Sequence, residues 1–224
     1  LKDARELAEL MVAIGRNSGR STVAVVSDMN QPLGYAVGNA LEVKEAIETL
    51  RDQGPSDLRE HCIKMAGHML HLSGKSDSVS SGSKLASKTL KDGSAFQALR
   101  KMVSAQGGDT KYIDNPEQLD HANIITTVNS SQDGFLSRMD AINIGKAAVM
   151  LGAGRERKND PIDLAVGIVV HQKVGSHINV GDPLFTIHAN NYEKVAPATE
   201  EALAGIEVKI EKVSELPLHY DVIE

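Results

Sequence analysis

The sequence predicts an α/β fold, on three observations. Residues 1–50 alternate helix-like, strand-like, glycine-rich and helix-like stretches, the rhythm of an α/β layer. After about residue 118 the texture changes, and short β-branched runs separated by Val-Gly turns become frequent. The 224 residues, 41% hydrophobic and 24% charged, are also enough to bury a real core. The expected architecture is part of a large α/β domain, helices packed on a mixed sheet, over residues 1–115. A C-terminal α+β subdomain of barrel-sandwich type follows over residues 116–224.

LKDARELAELMVAIG reads as a helix from almost its first residue, with Ala4, Leu7, Leu10, Met11 and Ile14 on one apolar stripe. With no initiator Met before it, this opening is expected to lie inside a larger protein. Gly15 or Gly19 ends the helix. STVAVVSD (21–28) is short, apolar and β-branched, the pattern of a buried parallel strand. A loop with two glycines, SDMNQPLGYAVGN, follows, and Asn39 with Glu42 forms a capping-box variant for a helix over about 40–50. Pro55–Ser56–Asp57 punctuates before a helix over about 58–72, with Leu58, Cys62, Met65, Met69 and Leu72 on one face. The Ser-rich stretch 73–84 reads as a loop, and helices are expected near 84–91 and 94–105, split by Asp92–Gly93.

In the second half, ANIITTVNS and DGFLSRMD read as strands and AINIGKAAVMLGAG as a helix with a glycine stop. IDLAVGIVVHQKVG, DPLFTIHANN and IEVKIEKV read as further strands. The cadence VGSHINVGDPLFTI, with Val174–Gly175 and Val180–Gly181, sets a paired turn ahead of a strand, as in small barrel-sandwich domains.

Charge and cysteine usage narrow the function. A net charge of −6 argues against a nucleic-acid or anionic-membrane surface, while leaving room for a small phosphorylated ligand held by backbone amides. Cys62 is the only cysteine, so no internal disulfide forms and a reducing, cytoplasmic setting is expected. No apolar run approaches the length of a membrane span.

Most of the chemistry-like clusters have simpler readings. Gly152–Ala153–Gly154 follows a helix instead of preceding one, and a helix C-terminus repels phosphate, so it reads as a cap and turn. His61, His68 and His71 share a helix but lack further ligands in register for zinc. Cys62 on an apolar face reads as a small buried thiol with no base beside it. Arg100–Lys101 and Arg155–Arg157–Lys158 read as solvated faces. The second-half cadence is similar to biotinyl and lipoyl carriers, yet Lys173 and Lys194 lack the neighbours of a modified lysine. The glycine loop itself stays open. Glu45, on the Glu42–Glu48 side of its helix, is either a solvated glutamate or a ligand that joins loop carbonyls around a hard cation.

VSDMNQPLGYAVGNALEVKEAIETL and MLGAGRERKNDPIDLAVGIVVHQKVGSHINVGDPLFTIHAN resemble pyrimidine-nucleoside phosphorylases, the bacterial relatives of thymidine phosphorylase. The likeness runs along essentially the whole chain. It implies cleavage of uridine, deoxyuridine and thymidine by the co-substrate phosphate, giving free base and pentose 1-phosphate. It also implies a homodimer with a small helical domain hinged to a large α/β domain. No SGRGLGHTGGT-like phosphate loop occurs here, and the family's base-gripping residues have no counterpart. The chain therefore resembles roughly the C-terminal half, with no catalytic residue of its own, and is expected to be inactive alone. The resemblance implies a monovalent cation, K+, held by the carbonyls of Leu33 and Ala36 and by Glu45, and by backbone of the other half. The alternative reading is a non-catalytic barrel-sandwich module for binding or carriage.

Overall fold

A computed structural model describes residues 1–155 and 157–224. Helix α1 (Lys2–Asn17) leads to strand β1 (Ala24–Ser27), and the glycine loop contains a two-residue strand, β2 (Ala36–Val37). Helices α2 (Asn39–Leu50), α3 (Ser56–Leu72), α4 (Val79–Lys91) and α5 (Ser94–Ala105) follow. The short α6 (Lys111–Asp114) and a 3₁₀ turn (Pro116–Gln118) connect to the strand-rich part. There β3 (Ile124–Asn129), β4 (Gly134–Met139), α7 (Ala141–Leu151), β5 (Gly167–Val170), β6 (His177–Ile178) and β7 (Pro183–Ala189) succeed one another. The chain ends with α8 (Tyr192–Ala204), β8 (Ile206–Lys209) and β9 (His219–Ile223).

Three sheets organise these strands, in the orders β2-β5-β7-β3, β6-β4-β8 and β1-β9. The central core lies between the first two, where Phe185, Leu136, Ile168, Ile178 and Ile187 are sealed from solvent beneath Ile144 of α7 and Ala198 of α8. The turns read from Val-Gly pairs are real, and Gly175 and Gly181 both take positive φ. Helices thus pack on sheets, followed by a strand-rich C-terminal part, as the α/β reading requires.

Several local expectations need correction. β1 is not a buried parallel strand: among the described residues it pairs only with β9, antiparallel, and is half-buried throughout. β-branched composition specifies a strand but not its partner's direction. The stripe on α1 turns largely outward, with Leu7, Leu10, Met11 and Ile14 all exposed, while Ala8 and Val12 make the buried contacts. On α3 the buried positions are Gly67 and His68, and Met69, Leu72 and Cys62 are exposed. The reason is close helix crossing: Gly67 meets α4 at Gly82, where a Cβ on either would overlap backbone or Ser83. Part of the Ser-rich stretch is helical, because Ser78 and Ser81 cap α4 reciprocally. On α2 the N-cap is Gly38, one residue earlier than expected, and Glu42 Oε1 accepts its N–H at 2.9 Å. Asn39 instead donates to Ala153 O at 2.8 Å, tying α2 to the end of α7.

Two longer elements escaped the sequence reading, as did the short β2, β6, α6 and 3₁₀ turn. α8 contains Pro197, which masks a helical pattern, although Asn191 caps it by accepting from Glu193 N. β9 is a short terminal run whose partner lies nearly the whole chain away.

Candidate functional site

The glycine loop is organised by two charged side chains that reach it from different directions. Glu45, nearly two turns into α2, is buried, contrary to the solvated reading of the Glu42–Glu48 face. Its Oε1 accepts from Tyr35 N at 2.8 Å and Ala36 N at 3.1 Å. Gly34, at φ +68°, lies against the same carboxylate, and a Cβ there would overlap Oε2. Only glycine takes this left-handed backbone freely while leaving room for the acid.

Lys173, in the connection between β5 and β6, comes from the other side. Its Nζ donates to Pro32 O at 2.6 Å and to Gly34 O, and pairs with Asp57 Oδ2 at 2.8 Å. Asp57 Oδ2 also accepts Gly34 N at 3.1 Å, and the Lys173 ammonium lies 5.1 Å from the Tyr35 ring centre. Gln31 Oε1 accepts Val174 N at 2.9 Å, a second tie between loop and turn. These groups share one electrostatic environment. Burial drives the Glu45 carboxyl above its ordinary pKa, against the two N–H bonds and the Lys173 charge, with nearby Asp57 reinforcing the rise. Burial also opposes ionisation of Asp57, but hydrogen bonding and charge from Lys173 hold that carboxyl below its usual value.

The predicted cation ligands can be tested against these contacts. Val170 N donates to Tyr35 O, so the facing Ala36–Val169 pair is the non-hydrogen-bonded kind. The Ala36 N–H and C=O therefore lie on the free edge of β2, and the N–H goes to Glu45. Among the described residues, no N–H or O–H donates to the Leu33 carbonyl or to Glu45 Oε2. The loop thus keeps oxygen acceptors that its own hydrogen bonds do not use, beside a buried carboxylate. That donor set suits a hard cation, which prefers oxygen. The residues present fit such an ion.

Lys173 and Asp57 were not singled out from sequence for this role. Lys173 follows a strand and lacks any motif, and its partners lie far away in the chain. The engagement of Lys173 with Asp57 and two carbonyls also leaves it poorly placed for covalent loading, and Lys194 Nζ reaches Leu151 O at 3.5 Å. A carrier role therefore finds no free presenting lysine in either.

The other clusters keep their simple readings except for Cys62, which is exposed and not buried, and for His61, which gains a stacking partner. Gly152 is the left-handed C-cap of α7. His71 Nδ1 lies 3.1 Å from Ser76 O, and among the described residues no group of three metal-capable side chains gathers. His61 stacks on His219 of β9, ring centres 5.2 Å apart and planes 7° from parallel. The Nδ1 of the first and Nε2 of the second are buried without hydrogen-bond partners. Cys62 is exposed, and partial desolvation raises its thiol pKa, so it is no ready nucleophile. Arg100 pairs with Asp114 on the surface at 2.9 Å. The Arg155–Lys158 cluster includes position 156, which lies outside the described residues. No helix among the described residues is long and apolar enough to cross a membrane.

Comparison with known proteins bears on both parts of the chain. Residues 1–96 match the family model described as "Glycosyl transferase family, a/b domain", and residues 135–209 match "Pyrimidine nucleoside phosphorylase C-terminal domain". The chain is 44% identical over 223 residues to a pyrimidine-nucleoside phosphorylase of Geobacillus stearothermophilus, spanning 100% of this chain and 51% of that protein. It is 42% identical over 215 residues to that of Bacillus subtilis, spanning 95% of this chain and 50% of the relative. For that of Staphylococcus aureus the identity is 40% over 224 residues, all of this chain and 52% of the relative. The chain thus spans about half the length of the curated relatives it matches.

Proposed function

We propose that this chain, which belongs to the pyrimidine-nucleoside phosphorylase family, is the part of such an enzyme that anchors a monovalent cation and walls one side of the cleft. The observation that carries the reading is unbroken similarity from the first residue to the last, at 40–44% identity. The full protein would cleave pyrimidine nucleosides, uridine, deoxyuridine and thymidine among them. A phosphate oxygen forms a bond to the anomeric carbon as the bond to the base nitrogen breaks. The base leaves carrying the electron pair, and the products are free base and pentose 1-phosphate. Cationic and hydrogen-bonding groups must stabilise the charge growing on the base. Those groups would come from sequence outside this chain, and a closing hinge would bring the two parts together and expel water.

Within this reading Leu33 O, Ala36 O and Glu45 hold K+. When bound, the ion supplies positive charge that locks the loop against the phosphate-binding part of the enzyme. The unused oxygens of the loop and the buried Glu45 carboxylate beside them support this assignment. A homodimer in the cytoplasm, with nucleoside and phosphate as its small-molecule partners and neither nucleic acid nor membrane, completes the proposal.

The test is an assay of uracil release from uridine and phosphate. The full protein should release uracil and this chain alone should not; release by the chain alone would refute the division of labour. Replacing Glu45 by Gln in the full protein should weaken the potassium dependence of the rate. An unchanged potassium response would remove Glu45 from the site.

A further inference from the structure

The cation site has an internal cation of its own. Lys173 arrives from the strand-rich part and spends its three N–H donors on Pro32 O, Gly34 O and Asp57 Oδ2. The two carbonyls it takes are those on either side of Leu33. Asp57 in turn receives the Gly34 N–H, so one ammonium and one carboxylate fix both faces of the Gly34 peptide region. Among the described residues, what remains unclaimed is the Leu33 carbonyl, the Ala36 carbonyl and one oxygen of Glu45.

The charge count has a consequence for the kind of ion. Of the side chains that hydrogen-bond the backbone of residues 32–36, Glu45 and Asp57 contribute two negative charges when ionised and Lys173 one positive charge, leaving one negative charge there. A single monovalent cation balances it, whereas a divalent ion would overshoot and meet the repulsion of a fixed ammonium. At any fixed distance the Lys173 ammonium repels a divalent ion twice as strongly as a monovalent one.

We propose that Lys173 is a positioning and specificity-determining residue for this site: its ammonium sorts the loop carbonyls, and its charge restricts the site to monovalent ions. The inference rests on the cation reading given above. Asp57 is its necessary partner, because without that carboxylate the loop would carry no net negative charge.

The experiment measures thermal unfolding of the full protein at constant ionic strength, titrating KCl or CaCl2 against tetramethylammonium chloride. The wild type should rise in Tm with K+ at lower concentration than with Ca2+. In Lys173→Met the ratio of half-saturating Ca2+ to K+ should fall at least tenfold, and Lys173→Arg should stay close to wild type. Asp57→Asn should raise the half-saturating K+ at least tenfold, which tests the same charge count should Lys173→Met not fold. Unchanged ion preference in Lys173→Met, or unchanged K+ response in Asp57→Asn, overturns the role of Lys173 while leaving the site in place. A wild type without a specific K+ response overturns the cation site itself and this role with it. A purely structural lysine would lower Tm in every salt alike and leave the ratio fixed.

Discussion

The two regions of the molecule bury their apolar side chains to very different degrees. The buried members of the central core lie between Ala122 and Ala202, drawn from β3–β7, α7, α8 and the connections holding Ala122, Val166 and Val174. In the first region α5 has no buried residue, and α1 exposes Leu7, Leu10, Met11 and Ile14 at 57–58% each. Met69, Leu85 and Met102 on α3, α4 and α5 are likewise exposed. The strand-rich region gathers the one large buried cluster, although Ile125, Ile142 and Ile210 stay exposed, while the helical region buries only scattered apolar side chains such as Val12, Ile47 and Leu90. Hydrophobic burial is what offsets chain entropy, so the first region gains less stability per residue from the contacts described here. The glycine loop sits on the seam. Its backbone and Glu45 come from the first region, and Lys173 and the β5 edge come from the second.

The sharpest way to break this contrast is to truncate one side chain in each region. Phe185→Ala removes a fully buried ring and should cost about 3–5 kcal/mol in denaturant unfolding. Leu10→Ala on α1 should change stability by no more than about 0.5 kcal/mol in this chain, as for other exposed positions. Equal losses at the two sites would show that α1 is packed after all.

A smaller effect probes the seam. Gly34→Ala forces an L side chain into positive φ and presses its methyl on Glu45 Oε2, so a loss of about 1–3 kcal/mol is expected. The same variant should lose its response to potassium, because the carboxylate must move. Retained stability and retained response together would mean that the loop does not close on Glu45 as described.

The mildest effect concerns the other contact between regions, His61 of α3 against His219 of β9. Burial, followed by the charges of Lys64, His61 and His68, lowers the pKa of His219 below its ordinary value. A histidine with a lowered folded pKa takes up its proton more readily when unfolded. Its contribution to stability is therefore present above the ordinary value of about 6.5 and is lost as pH falls through the lowered one. His219→Phe keeps a ring to stack on His61 and removes the proton site and the unpaired Nε2. Stability measured between pH 7.5 and 5 should fall less steeply in the variant than in the wild type. Parallel pH curves would show that the His219 imidazole titrates alike in the folded and unfolded chain.

Much of the fold was legible locally. α2 and α7, the Gly152 cap, the Val174–Gly175 and Val180–Gly181 turns and the strands around them follow from periodicity and turn chemistry within a few residues. Glu45 was legible as a residue to question, although its helical face suggested solvent, and the family resemblance gave it a reason to turn inward. Face assignments on α1 and α3 failed for a common reason. An apolar stripe reports what a helix is able to bury, but the surface it finds depends on neighbours. On α3 the Gly67–Gly82 crossing brings small residues, not Met69 and Leu72, to the contact.

By itself, the sequence determined most of the longer elements, the kinked glycine loop, and one acid placed nearly two turns beyond it, because each depends on side-chain types only a few positions apart. Tertiary structure alone decided that β1 runs antiparallel to β9 and that Lys173 meets Pro32, Gly34 and Asp57. Those pairings join residues more than a hundred positions apart, and no local preference encodes them. They are chosen by the shape of the packed core, which brings distant charges close enough, and dry enough, to need one another.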